Sequence, residues 1–574
     1  MKTNLKLFCT RFLLLVLVVA LALTPLSACN GKESATTKKK KKKKTIERVE
    51  VTSSETISEE ETVDNNEIEI IEDPEIEPED DTTTKIEVQN AQQPIINTFR
   101  GSSGVVHFAY TFFNISGSAP KMTDAMAKTE FDRMQNAGYK YVRTIFKSSF
   151  AFDTKKQTWN WDSTDMNAVY KWARELQKRN MEVGLTTPWN LIEHATGQPS
   201  WVGDAAYMHG YGQDLFGESV NAGINFTGMT DDEIRLNKTA ARVGHWVCEA
   251  LQAFRQRGIN NVTQLYCYTE PDGNYANEYV TLVSRLHKTM VQRGIRHQYK
   301  LIGPNQAEYR DNRDHMYDTL EAVLKHIKET GEPIVDILSA HQYPTGNDMV
   351  SDSYIAEMDS YTPIWMELKE KYGFKGEFWM DEFNLKLTGT RDGDKEAADQ
   401  DYPWFGTWFA ACMCRAMDFG ISNTVIWNFS HQYWPTGTVF YANGLNPVIN
   451  LKQEPYTRFY AYQMIARAFG YEGGRVYKTV DDPLAGIYGG CVQLKDGNWA
   501  VLVVNTNVED LPISVQFEKG LGKNLYRHLY TPLFEKSLSD AQIPADKGFK
   551  NVKTVLNDVL PAGGVAIYTS VQYK

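Results

Sequence analysis

Two glutamates stand in settings that suit chemistry. Glu270 lies in Tyr268-Thr269-Glu270-Pro271, and Glu382 lies in Trp379-Met380-Asp381-Glu382-Phe383-Asn384, 112 positions further on. Each closes a β-rich run. If those runs are parallel strands, both carboxylates reach one edge of the sheet. Two carboxylates across a cleft suit cleavage of a glycosidic bond. One, protonated, gives its proton to the leaving oxygen; the other, ionised, attacks the anomeric carbon or activates water. Their surroundings must then hold the two pKa values apart. Either glutamate alone would read as a surface ion-pair partner. The company decides for a paired site: Arg143, Trp189-Asn190, Ala340-His341-Gln342-Tyr343-Pro344 and Trp427 fall at the ends of other β-rich runs. An arginine beside a carboxylate keeps it charged.

The elements that position these residues alternate. β-rich runs at 105–113, 139–146, 181–189, 262–269, 299–304, 335–341, 377–381 and 423–427 are separated by helical patterns with apolar residues at i, i+3 and i+4. Eight strands separated by helices predict an α/β fold, a (β/α)8 TIM barrel over 95–470, whose reactive residues sit at the C-terminal strand ends. An open doubly wound sheet is the alternative, but no glycine-rich phosphate loop follows the first run. Helical signals lapse after about residue 470. Runs at 489–494, 499–504, 511–517, 525–531 and 564–568, the first two joined by Lys495-Asp496-Gly497-Asn498, predict a C-terminal β-sandwich domain over 471–574. Pieces just before the first barrel strand are candidates to join it.

The first 94 residues differ in kind. Lys2, Lys6 and Arg11 precede an apolar stretch from Phe12 to Leu23, then Leu26-Ser27-Ala28-Cys29. A basic start, a short apolar run and small residues describe a secretory signal. Seven lysines run from Lys38 to Lys44, and residues 46–90 hold 17 acidic residues and no aromatic one. Such a segment buries too little apolar surface to repay ordering, so 30–94 is expected to be a disordered charged linker. The whole chain has 574 residues and net charge −11, against a nucleic-acid partner. Its 13 Trp, 30 Tyr and 26 Phe are concentrated after residue 94, a density that suits stacking on flat ligands. Seven cysteines without regular spacing make no disulfide framework; Cys412-Met413-Cys414 lacks a second metal-ligand pair, and buried thiols are expected instead.

The residues quoted resemble two known patterns. Leu26-Ser27-Ala28-Cys29 resembles the lipobox of bacterial lipoproteins, which implies cleavage after 28, lipidation of Cys29 and attachment to a membrane at the extracellular face of the cell envelope. The strand-four and strand-seven motifs resemble those of the clan A retaining glycoside hydrolases. The Glu-Phe-Asn ending, the 340–344 segment and the terminal sandwich are most similar to glycoside hydrolase family 39. That resemblance implies that Glu270 is acid then base and Glu382 the nucleophile. It implies that Arg143 hydrogen-bonds Glu382, that Tyr343 touches it, and that His341 lines the subsite against a hydroxyl or Glu270. Trp427 becomes a stacking floor, and Trp189 and Asn190 contact neighbouring hydroxyls. Thr269 stands where the clan has an asparagine that bonds the sugar 2-hydroxyl. The carboxyl separation is expected at ~5–5.5 Å, as retention requires.

The expected function is hydrolysis of O-glycosyl bonds in an extracellular poly- or oligosaccharide by double displacement. The substrate and the membrane are the expected partners; no obligate protein partner is evident. No cofactor or metal is called for, since the chain has neither HExxH nor an acidic calcium loop. The rivals are a catalytically silent glycan-binding lipoprotein and a barrel enzyme using metal-assisted chemistry.

Overall fold

The alternation of strand and helix closes on itself. In the computed structural model the described residues are 69–71, 83–105, 124–146, 150–153, 158–186, 223–267, 270–271, 276–307, 317–348, 350–387, 401–427, 429, 432–433, 439–440, 454–533 and 542–571. The stretch expected to be a secretory signal, Cys29 and the lysine run lie outside them. Eight parallel strands form a closed barrel: β1 (Ser102–Val105), β2 (Tyr141–Ile145), β3 (Glu182–Thr186), β4 (Val262–Tyr266), β5 (Lys300–Ala307), β6 (Ile337–Gln342), β7 (Glu377–Phe383) and β8 (Asn423–Ile426). Each pairs with its neighbours in chain order, and β8 pairs with β1. The predicted TIM barrel is the observed fold.

Helices α1 (Asp124–Asn136), α2 (Thr164–Lys178), α3 (Asp231–Gln256), α4 (Ala276–Gln292), α5 (Asp318–Thr330), α6 (Ser353–Tyr372), α7 (Trp404–Phe419) and α8 (Thr457–Phe469) alternate with them. Local chemistry sets their ends. The Thr230 hydroxyl accepts from the Glu233 N–H, and Glu233 reaches back to the Thr230 N–H, a reciprocal cap on α3. Left-handed glycines, Gly331 and Gly373, close α5 and α6. Among the described residues no helix is long and apolar enough to cross a membrane.

The barrel interior is filled. Tyr141, Tyr266, Ile302, Ile337, Trp379, Val425, Trp427 and Tyr471 pack together there. Gly184 on β3 makes room: a Cβ at that position would meet the Tyr141 hydroxyl at 1.9 Å. The chain needs a glycine where two tyrosines fill the core.

Two sequence expectations are corrected. The first barrel strand is Ser102–Val105 rather than 105–113. Its Ser-Ser-Gly-Val stretch carries almost no β-forming signal, so the pattern slid to the apolar run after it; residues 106–113 lie outside the described residues. The linker boundary at 94 also fails. Residues Thr84–Val88 form a strand parallel to Leu511–Phe517 and antiparallel to Thr479–Val480, and Ile96–Phe99 pairs with Gly474–Tyr477. Acidic composition hid an alternation, Ile86 and Val88, that is fully buried. The pieces before the first barrel strand do join the sandwich.

That second unit comprises an eight-stranded and a four-stranded sheet. Val501 and Val503 of the strand Trp499–Asn505 face the four-stranded sheet, with Ile86, Ile513 and Val515. Their neighbours Ala500, Leu502 and Val504 join the barrel's own core. One strand thus serves two cores through its period of two, and it reads as a continuous apolar run because both faces are covered. Docking falls on α7 and α8: the Tyr530 hydroxyl donates to the Pro403 carbonyl at 2.6 Å, and Thr407 donates to the Gly563 carbonyl at 2.6 Å. Cys412 and Cys414 lie buried on α7 as free thiols, as do Cys248, Cys267 and Cys491.

A chain beginning at residue 67 should keep its denaturation midpoint. One beginning at residue 95 loses Ile86 and Val88 from the sandwich core, at about 1.5–3 kcal/mol per buried aliphatic side chain, roughly 3–6 kcal/mol in all. Equal midpoints in urea for the two chains would contradict the assignment of 84–88 to the sandwich.

Candidate active site

The C-terminal strand ends gather charge in an otherwise apolar barrel. Arg143 projects from β2, His341 from β6, Asp381 and Glu382 from β7, and Glu270 from the turn after β4. All but Glu270 are buried; its side chain is 18% exposed. A fully buried guanidinium demands compensation. Arg143 Nη1 donates to Glu382 Oε1 at 2.7 Å and to the Asp381 carbonyl at 2.8 Å, and its Nε donates to the Thr186 hydroxyl at 2.9 Å. The guanidinium also lies 4.7 Å over the Tyr266 ring, whose hydroxyl shares a 2.5 Å hydrogen bond with Tyr141. Burial opposes the charge, yet Glu382 and Asp381 outweigh it and hold Arg143 protonated.

Two backbone irregularities aim the carboxylates. Across the β6–β7 pairing, Ala340 faces Met380 and His341 faces Glu382, so Asp381 has no opposite residue; across β7–β8 the register slips between Met380 and Phe383. This β-bulge turns two successive acidic side chains toward the interior, where strict alternation would send one outward. Glu270 adopts a left-handed backbone conformation, φ 53°, with its N–H donating to the Asn305 carbonyl at 3.2 Å. Asn305 is itself left-handed, φ 57°, and its Oδ1 accepts from the Ser339 hydroxyl at 2.6 Å. A non-glycine residue held there costs on the order of 1–3 kcal/mol, which the surroundings must supply.

His341 sits between the two glutamates. Its Nδ1 is 2.9 Å from Glu270 Oε1 and 3.3 Å from Glu382 Oε2. The Tyr343 hydroxyl donates to Glu382 Oε2 at 2.5 Å. One oxygen of each glutamate and a ring nitrogen of His341 all lie within 4.8 Å of one another. Burial lowers the pKa of His341; the Glu382 and Asp381 charges, with the hydrogen bond to Glu270, outweigh it and raise it to about 10. Tyr343 is pushed far above the usual phenol value, by burial first and then by Glu382, so it remains a donor. Burial and the neighbouring Glu270 push Glu382 above the ordinary carboxylate value, against the pull of His341 and Arg143.

Charges on both glutamates at once would place two anions within 4.8 Å, a repulsion of about 3.5 kcal/mol at an effective dielectric of about 20. Both oxygens of Glu382 accept, from Arg143 and Tyr343, and Glu270 Oε1 lies 2.9 Å from His341 Nδ1. The arrangement sets two carboxyl groups in unlike surroundings, one buried and one 18% exposed, facing each other. The same three residues offer ligand atoms to a metal, but the Arg143 guanidinium already occupies the position of positive charge beside Glu382. They do not form a good cation site.

The structure brings together Arg143, Glu270, His341, Tyr343 and Glu382 from the expected set. Trp427 stands at the same mouth, 7% exposed and packed in the interior cluster that Tyr343 adjoins. Asn384 fixes it: its Nδ2 donates to the Trp427 carbonyl at 2.8 Å, and its Oδ1 accepts from Tyr462 at 3.0 Å. Trp189, Asn190 and Thr269 lie outside the described residues. Sequence reasoning missed Asp381, Thr186 and Asn384 as members of the site. Asp381 and Asn384 stood in the motif quoted around Glu382, but a bulge has no spacing signature.

No protein-family model matches the chain, and no curated protein matches it. Many solved structures share its fold. A GH30 endoxylanase from Clostridium papyrosolvens is 13% identical, with TM-score 0.52, over 85% of this chain and 99% of its own. An α-L-arabinofuranosidase from Thermotoga maritima is 12% identical, with TM-score 0.52, over 86% and 100%. The endo-β1,6-glucanase BT3312 is 13% identical, with TM-score 0.52, over 86% and 96%. The likeness covers barrel and sandwich together.

Replacing Arg143 by Met should destabilise the fold by about 3–5 kcal/mol at pH 7, because Asp381 and Glu382 are left buried without their cation. Glu382, whose pKa Arg143 pulls down, then takes up a proton more readily, so the penalty shrinks as pH falls toward 5. Chemical unfolding of the variant and the parent at the two pH values reads this; a penalty independent of pH would contradict the ionic role of Arg143.

Proposed function

We propose that the chain is a retaining glycoside hydrolase of the clan A type, acting on an extracellular poly- or oligosaccharide. One observation carries the reading: two carboxyl groups, with one oxygen of each within 4.8 Å of the other, at the C-terminal mouth of a TIM barrel. Retention needs carboxyl groups at ~5–5.5 Å, whereas inversion needs roughly 6.5–9.5 Å to admit a water. Glycosidases among the structures of like fold support the substrate class. The motifs read most like family 39, while GH30 enzymes stand among the structures of like fold, so the proposal is made at the level of the clan.

In the proposed mechanism Glu382 attacks the anomeric carbon while Glu270 passes its proton to the leaving oxygen. A glycosyl ester on Glu382 results. Glu270, now ionised, takes a proton from water, whose oxygen attacks the same carbon and frees Glu382. Arg143 and Tyr343 hold Glu382 in place and keep it anionic in the free enzyme. Trp427 provides the apolar floor for the sugar ring. Trp189, Asn190 and Thr269 contact its hydroxyls, with Thr269 in place of the asparagine that the clan uses. Cys29 carries a lipid that holds the enzyme at the outer face of the cell envelope, and the charged segment after it is a spacer.

The tests follow the roles. A screen of nitrophenyl glycosides and polysaccharides should find a substrate, and Glu382→Gln should abolish its hydrolysis. Unchanged sugar binding with no hydrolysis by the parent chain would point to a lectin instead. Glu270→Ala should slow natural substrates by about 10²–10⁴-fold and good-leaving-group aryl glycosides far less, since those need little protonation. Equal losses for both would refute the acid role. Cys29→Ala should move the protein from the membrane to the soluble fraction.

A further inference from the structure

The acid of the proposed mechanism is held where its own backbone would not go. Glu270 has φ 53°, in the left-handed region, although it carries a β-carbon. It also precedes Pro271, whose ring narrows the conformations open to the residue before it. Such strain persists only where the surroundings over-determine it. Here the restraint comes from the neighbouring strand. β4 and β5 pair in register up to Tyr266 and Ile302, and beyond them the Glu270 N–H donates to the Asn305 carbonyl at 3.2 Å. Asn305 is out of register with the strand on its other side. Across β5–β6, Pro304 faces Ser339 and Gln306 faces Ala340, so Asn305 has no opposite residue, and its φ is 57°. It is the extra residue of a bulge. One hydroxyl closes that bulge: Ser339 Oγ accepts from the Asn305 N–H at 3.1 Å and donates to Asn305 Oδ1 at 2.6 Å, with both residues fully buried. Asparagine tolerates left-handed backbone better than most side chains. Just past the bulge, Gln306 Oε1 accepts from the Leu320 N–H at 3.0 Å, which ties the end of β5 to the first turn of α5.

We propose that Asn305 is a positioning residue for the acid: its bulged, left-handed backbone, latched by Ser339, holds Glu270 in the conformation that aims the carboxyl across the barrel mouth. This rests on the glycosidase reading. Asn305 acts through the Glu270 backbone, not on the sugar. The Glu270 side chain is 18% exposed, whereas that of Glu382 is 5% exposed, so packing does less to fix it. The direction of its Cα–Cβ bond, set by φ, therefore governs where the carboxyl can reach. At φ 53° one oxygen meets His341 Nδ1 at 2.9 Å, on the side that faces Glu382. Relaxation of Glu270 to negative φ would swing Cβ and draw the carboxyl away from the leaving oxygen. A shift of about 1 Å in a reacting group costs on the order of 10²-fold in rate. The cost falls on proton transfer, since Glu382 is held separately by Arg143 and Tyr343.

The experiment uses the full chain and a series of aryl glycosides, from dinitrophenyl to methoxyphenyl, of the sugar that the parent hydrolyses. Asn305→Ala removes both the amide latch and the tolerance of positive φ. Its loss in kcat/KM should be about 10–100-fold greater for the methoxyphenyl member, which needs a proton, than for the dinitrophenyl member, which needs little. Asn305→Gly restores the tolerance of positive φ and should recover most of that selective loss. A residue that merely stabilises the fold would slow every member alike. Equal losses across the series overturn the proposal, as does an Asn305→Gly whose dependence on the leaving group is as steep as that of Asn305→Ala. Should Asn305→Ala fail to fold, Ser339→Ala, which removes the latch and leaves Asn305 in place, should show the same steepening, and a flat response there overturns the proposal. Absence of any hydrolysis by the parent would end the glycosidase reading. Crystal structures of the parent and Asn305→Ala would then decide the positioning by themselves: Glu270 should leave the left-handed region in the variant, and an unmoved Glu270 overturns the proposal.

Discussion

A guanidinium with no access to water has to be paid for, and in this protein Arg143 dictates how. Its partners must be anionic, close and rigid. They are supplied by two successive residues of one strand, Asp381 and Glu382, which a regular strand would point in opposite directions. The bulge in β7 follows from that requirement: without it one carboxylate faces the helices and the arginine is left half compensated. His341 Nδ1 then stands between the two glutamates, 3.3 Å from Glu382 and 2.9 Å from Glu270. The catalytic asymmetry proposed for the glutamates comes from their unlike surroundings, Glu382 buried against Arg143 and Tyr343 and Glu270 partly open to solvent.

The rest of the fold serves to keep that cluster dry and still. Beneath it the Tyr141 ring meets Trp379 and Tyr471 at 5.4 and 5.8 Å and its hydroxyl bonds that of Tyr266, and Arg100, paired with Glu377 at 2.8 Å, closes the far end. Low dielectric strengthens each ionic contact above, and equally punishes any group left unpaired. Around the barrel, α7 and α8 are buried on nearly all sides because the sandwich covers what solvent would otherwise meet. The sandwich borrows strands from before and after the barrel, so the ends of the folded unit are tied to each other. That connectivity explains why the described part behaves as one compact unit from Glu67 onward.

The elements were legible wherever a period was strong. β3 to β8 fall within a few residues of the expected runs, and Leu511–Phe517 matches its run at both ends, because apolar side chains repeat there at the spacing their neighbours impose. The pattern failed at β1, where Ser102, Ser103 and Gly104 are small because the barrel wall is crowded, with Ser103 bonded to Asn423 at 3.3 Å. It failed again at Thr84–Val88, where a five-residue alternation sits inside an acidic stretch. In both cases the information lies in what packs against the strand, which a window along the chain does not contain.

For the site, residue type and order along the chain were enough to single out Glu270, Glu382, Arg143, His341 and Tyr343, since side chains at the same end of parallel strands must share one mouth. That is geometry implicit in the alternation of strand and helix. That both adjacent acids face inward, and which nitrogen of His341 meets which carboxylate, were decided by the tertiary structure alone. Those outcomes depend on distances of a few tenths of an ångström and on exclusion of water, and both are set by residues scattered from 102 to 471 that become neighbours only when the barrel closes.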